Sequence, residues 1–98
     1  MLYTEVGPRG NGKTKRLLEY AKNNNATVVC NMPRAMEEKA REYGLGDINC
    51  MSYSTFLNVV HKIGKEKIVI DEIEGLLNRL SPNIEGYTLG LEENEKNI

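Results

Sequence analysis

The sequence predicts an α/β fold, a mostly parallel sheet of about five strands with helices on both faces, and three observations carry that prediction. Short apolar, β-branched runs alternate with helical patterns along the whole chain. A glycine-rich loop separates the first such run from the first helical pattern. A later apolar run, Ile68-Val69-Ile70, stops abruptly at two carboxylates, Asp71 and Glu72. Alternation of this kind produces three layers, because parallel strands need crossovers and right-handed helical crossovers cover the sheet. The chain has 98 residues, 40% of them apolar, enough for one hydrophobic core and too few for two. One domain is therefore expected over residues 1–91, with a polar tail at 92–98 that frays. A chain of this size buries only about two-thirds of its unfolded surface, so a ligand, ion or partner adds usefully to its stability.

Residues 2–6 form a short run of apolar and β-forming types that ends at Gly7, and a helical pattern follows through Leu17, Leu18 and Ala21. Three consecutive asparagines, Asn23 to Asn25, end that helix. Residues 26–30, with Val28 and Val29 in an uncharged run, read as a buried strand. Pro33 suits the first turn of a helix that carries Ala35, Met36, Ala40 and Tyr43, and Gly44 and Gly46 stop it. Residues 47–51 are predicted as a short strand. Ser52 or Ser54 then caps a helix containing Phe56, Leu57 and Val60. A charged turn over residues 62–67 leads into the strand Ile68-Val69-Ile70, rich in β-branched residues. Leu76, Leu77 and Leu80 line one side of a helix that Ser81-Pro82 terminates, and residues 84–91 read as a last strand despite Gly86 and Gly90.

Composition narrows the function classes. Thirteen basic residues against fourteen acidic ones give a formal charge of -1, which neither recruits nor repels nucleic acid over the whole surface. Cys30 and Cys50 have neither zinc-ribbon nor C-x-x-C spacing, and His61 has no second histidine or cysteine near it. They read as reduced core thiols and a surface helix-end residue, and no metal site is assigned to them. No segment approaches 18 continuous apolar residues and the glycine loop begins at Gly7, so no membrane span, no leader peptide and a cytoplasmic location are expected.

The chemistry is concentrated in two places. Gly7-Pro8-Arg9-Gly10-Asn11-Gly12-Lys13-Thr14 satisfies the phosphate-loop pattern G-x-x-x-x-G-K-[ST] between a predicted strand and a predicted helix. Glycines let the backbone curl so that successive N–H groups face inward, and the following helix turns its positive end toward the phosphates. Lys13 is expected to neutralise charge between the β- and γ-phosphates, and the Thr14 hydroxyl to coordinate magnesium. Asp71 and Glu72 stand at the C-terminal end of a buried strand, where parallel α/β sheets place their ligands. Asp71 is read as the magnesium partner. Glu72 is read as general base or water positioner, with a helix N-terminal carboxylate of no chemical role as the alternative.

With these residues in hand, the chain resembles the additional-strand class of P-loop ATPases, and in its element order a minimal helicase- or terminase-like motor domain of phage or mobile-element type. Residues 7–14 match the Walker A motif and residues 68–72 match Walker B with its trailing glutamate. Residues 49–57 look like the family's strand that ends in an alcohol and opens a helix. The turn Asn31-Met32-Pro33 stands where a nucleic-acid-contacting loop lies in such motors. The resemblance implies ATP and Mg2+ as ligands, ATP hydrolysis, and Thr88 near the γ-phosphate on a strand beside the Asp71 strand. Coupling to nucleic acid or to a protein assembly is also implied, with Arg34, Lys39 and Arg41 as candidate phosphate contacts and a solvated helix face as their alternative. Because phosphoryl transfer calls for positive charge near the γ-phosphate, a homo-oligomer or protein partner is expected to complete the site. Neither Arg79, in a short helix, nor Arg9 is a compelling arginine finger, Arg9 acting in cis, reaching a neighbouring molecule or being a plain loop-surface residue. The competing expectation is a nucleotide-binding or interaction module that keeps this fold without hydrolysing ATP.

Overall fold

The computed structural model of the chain describes residues 3–8 and 10–90. After the glycine loop come α1 (Lys13–Asn24), β1 (Thr27–Cys30), α2 (Pro33–Glu42), β2 (Cys50–Ser52) and α3 (Tyr53–Val59) with a 3-10 turn at Val60–Lys62. They are followed by β3 (Ile68–Ile70) and α4 (Ile73–Leu80). The strands form a parallel sheet in the order β2-β1-β3. Val28 lies opposite Cys50 and Val69, and Val29 opposite Met51 and Ile70.

Alternation along β1 divides the core in two. Val28 and Cys30 face one side, where they pack with Leu18 and Ala21 of α1 and Ala40 of α2. Val29 faces the other, with Tyr53 of α3 and Leu76 of α4. The helices thus cover both faces, as expected of parallel strands too apolar to meet water on either side. Val28 and Val29 have no exposed surface, so β1 is the buried centre of the fold.

Local signals account for most helix boundaries. Asn25 takes the left-handed conformation that ends α1 (φ 54°), and its N–H bonds the Ala21 carbonyl. Pro33 opens α2, Gly44 at φ 79° closes it, and the Gly44 N–H bonds Arg41 O. Of the two serines, Ser52 is the cap of α3, accepting from the Thr55 N–H. Helix α4 ends before Pro82, with Ser81 extended as a residue preceding proline prefers.

Three sequence expectations are corrected. The described residues hold three strands instead of about five. Residues 3–8 run without regular structure, because Tyr3 stacks on Tyr20 with ring centroids 4.1 Å apart and Glu5 pairs with Arg16, both on α1. Side-chain contacts to the helix hold this segment in place of a strand ladder. Residues 84–90 are also irregular, and Ile84, Tyr87 and Leu89 stand exposed; Gly86 and Gly90 weaken any strand there. Leu2 of the first predicted strand, Leu91 of the last and the tail at 92–98 lie outside the described residues. The strand predicted over 47–51 is shifted to Cys50–Ser52, and Asp47 is left exposed, paired loosely with Arg41 at 3.6 Å. Val60, expected on an apolar helix face, is 47% exposed because α3 tightens into the 3-10 turn there.

Candidate functional site

Because the three strands are parallel, their C-terminal ends share one edge of the sheet, where Asn31 follows β1, Ser52 ends β2 and Asp71 follows β3. The N-terminus of α1 reaches the same edge. Its residue Thr14 donates a hydrogen bond from Oγ1 to Asp71 Oδ1 at 3.2 Å across a sequence separation of 57. The glycine loop and the acidic turn, the two motifs singled out in the sequence, are thus one site.

The loop is shaped by glycine. Gly10 and Gly12 have φ of 80° and 84°, a region that penalises any side chain with a Cβ. A Cβ at Gly12 would also stand 3.0 Å from Arg16 Nη1. Arg16 braces the loop from α1: Nη1 donates to the Asn11 carbonyl at 2.8 Å and Nε to Glu5 Oε1 at 2.8 Å. The Glu5 side chain is 9% exposed, so this pair works in poorer solvent than a surface ion pair. Nothing in the spacing of Glu5 and Arg16 announced the contact, because it closes across the loop instead of along one helix face. Lys13 folds back over the loop, its Nζ donating to the carbonyls of Gly7 and, at 2.8 Å, of Pro8. Arg9 lies outside the described residues.

At the acidic turn, Asp71 is half-buried and Glu72 exposed. Burial raises the Asp71 carboxyl above its ordinary range, and the Thr14 hydroxyl partly offsets this. Charge repulsion from Glu72 adds to the rise, while Lys39 and Lys13 oppose it. Glu72 has φ 57°, a left-handed backbone uncommon for a residue other than glycine, and it caps α4. Its carbonyl receives the Gly75 N–H. Sequence reasoning missed Tyr53, whose hydroxyl donates to the carbonyls of Asp71 at 2.6 Å and Glu72 at 3.1 Å.

Of the remaining sequence candidates, Lys39 is near enough to act on the Asp71 charge. Arg34, Lys39 and Arg41 are all exposed on α2. Arg79 donates to Ser54 Oγ at 3.0 Å, and Thr88 is exposed on the irregular segment. His61 is exposed in the 3-10 turn, and Cys30 and Cys50 are free thiols. A polar hollow of about 320 Å³, lined by Asn24, Asn25, Asn49, Lys65 and Lys67 among others, opens at the opposite, N-terminal edge of the sheet. Among the described residues no helix is long and apolar enough to cross a membrane. Set against family models, curated proteins and solved structures, the chain matches none.

Proposed function

We propose that the protein binds magnesium–ATP at residues 7–14 and hydrolyses it at Asp71 and Glu72. The observation that carries this reading is the Thr14–Asp71 contact beside a loop whose Gly10 and Gly12 are both left-handed. Two patterns far apart in sequence, each suggestive of phosphate and cation chemistry alone, meet at the positive end of a 12-residue helix.

The donor set suits magnesium. This ion takes one or two protein oxygens and keeps water and phosphate for the rest of its octahedron. One hydroxyl and one carboxylate meet at the site, and the described residues contain no cluster of three His, Cys, Asp or Glu that would suit a more protein-ligated metal. Thr14 and Asp71 would hold the ion, which when bound neutralises charge on the β- and γ-phosphates. A cation there would also relieve the desolvated Asp71 carboxylate.

The chain's own residues supply the rest. Loop N–H groups bind the phosphates, and the Lys13 ammonium exchanges the carbonyls of Gly7 and Pro8 for phosphate oxygens. Glu72, exposed next to Asp71, accepts a proton from the water whose oxygen bonds to the γ-phosphorus as the bond to the ADP oxygen breaks. ADP and inorganic phosphate leave. Arg79 is engaged with Ser54, so the reading includes a further positive group supplied by a second chain or a protein partner. Binding without hydrolysis is the competing reading, favoured by a backbone that cradles phosphate whether or not Glu72 reaches water.

Calorimetry on K13A and turnover by E72Q test this. K13A should bind magnesium–ATP at least about tenfold more weakly, the loss of one charge-assisted contact. E72Q should bind as the parent does and lose about a hundredfold or more in turnover. K13A binding as tightly as the parent would end the phosphate-loop reading, and a parent that binds tightly without turnover would reduce the protein to a nucleotide-binding module.

A further inference from the structure

We propose that Tyr53 is a positioning residue of this site: its hydroxyl clamps the backbone turn from which the Asp71 and Glu72 carboxylates project. For its catalytic consequence the proposal rests on the magnesium–ATP reading. The geometry beneath it does not.

Tyr53 is the first residue of α3, directly after the Ser52 cap, and is 4% exposed. Its ring belongs to the core cluster with Val29 and Leu76, so the hydroxyl is carried by a rigid, packed body. That hydroxyl reaches the carbonyls of two successive residues, Asp71 at 2.6 Å and Glu72 at 3.1 Å, and its single proton goes mainly to the nearer. The part-buried Asp71 carbonyl takes this donor where the ladder to β1 ends, with the Asp71 N–H bonded to Val29 O.

Two further features fit the clamp. Glu72 holds a left-handed backbone without being glycine, a conformation that persists where its surroundings over-determine it. Gly75 lies inside the eight-residue helix α4, where glycine is unfavourable and where no positive φ requires it. The ring explains it: a Cβ at Gly75 would stand 2.7 Å from Tyr53 Cε2 and Oη and 2.9 Å from Cζ. Gly75 is the space into which Tyr53 fits, and the hydroxyl reaches the acidic turn because that space exists.

The Tyr53 hydroxyl bonds backbone carbonyls, which makes its role positional.

The test is Y53F, which removes one oxygen and keeps the ring, with G75A in both backgrounds. Three readouts are taken: kcat and KM for magnesium–ATP, amide exchange at Gly75, and the carboxyl resonances of Asp71 and Glu72. In Y53F we expect kcat to fall about tenfold with KM changed less than about twofold, since displaced groups lose transition-state alignment before ground-state binding. Exchange at Gly75, whose N–H bonds the Glu72 carbonyl, should speed about fivefold. G75A should lower kcat in the parent and cost less in Y53F, where its Cβ still meets the ring but there is no hydroxyl left to displace. Unchanged kcat and unchanged Gly75 exchange in Y53F would overturn the proposal, as would fully additive G75A and Y53F effects. If the parent shows no turnover at all, the hydrolysis part of the magnesium–ATP reading fails. Gly75 exchange and the two carboxyl resonances then decide the clamp, and resonances identical in parent and Y53F overturn it.

Discussion

The glycine loop and the acidic turn both bend the backbone into the left-handed region, and they do so by different means. The loop uses Gly10 and Gly12, for which φ near 80° costs nothing in steric repulsion. The acidic turn places Glu72 at φ 57° with its side chain intact, braced by Tyr53. Under the proposed function, Gly10 and Gly12 offer phosphate their backbone N–H groups, so residues without side chains serve there. Proton transfer, under the same proposed function, asks for a carboxylate, so the turn carries a side chain through a conformation that side chains disfavour. Under that reading, the contrast teaches that strain is retained where the chemistry is in the side chain and removed where it is in the backbone.

G12A would break the comparison most severely. It adds strain at φ 84° and brings a Cβ to 3.0 Å from Arg16 Nη1, disturbing the brace to Glu5. We expect a loss of about 2 kcal/mol by denaturant unfolding, and weaker ATP binding. G10A meets no atom within 4 Å, so it should cost less than G12A. If the two are equal, the Arg16 contact contributes nothing.

E72G asks whether the turn is strained. Glycine at φ 57° should raise stability by about 1 kcal/mol while abolishing turnover, whereas E72Q keeps the strain and should leave stability nearly unchanged. Stability of E72G at or below that of E72Q would mean that the clamp, and no relief of strain, governs the turn.

The smallest expected effect concerns charge. Asp71 titrates above its ordinary range in the folded protein, mainly through burial, so the folded state holds its proton more tightly than the unfolded state. Its contribution to stability is fully present below the unfolded pKa and is lost as pH rises through the raised folded pKa. D71N without nucleotide should therefore melt above the parent at neutral pH, and the gap should close as pH falls into the acid range. A gap that widens on acidification would show that the Thr14 hydrogen bond outweighs desolvation.

The legible parts of this molecule are those whose physics is local. The loop pattern from Gly7 to Thr14, the asparagine that ends α1, Pro33 at the start of α2, the stop before Pro82 and the strand Ile68–Ile70 follow from torsional preference, capping and runs of β-branched residues. The α/β class follows from their alternation. Residues 3–8 and 84–90 misled because β propensity is satisfied only by a partner. Stacking of Tyr3 on Tyr20 holds the first segment at α1, and the second exposes Tyr87 and Leu89.

What the sequence determined by itself was the identity of two chemical parts, a glycine loop ending in Lys13 and Thr14 and a carboxylate pair closing an apolar strand. Tertiary structure alone decided that they meet. The parallel pairing of β3 with β1 sets the height of Asp71, and packing of α1 on the Val28 face brings Thr14 to 3.2 Å from it. It also decided that Glu5 and Arg16 brace the loop and that Tyr53 fits against Gly75 to hold the acidic turn. These contacts join residues that share no helix face and no strand register. No periodicity announces them, and only closure of the core on both faces of β1 brings them within bonding distance.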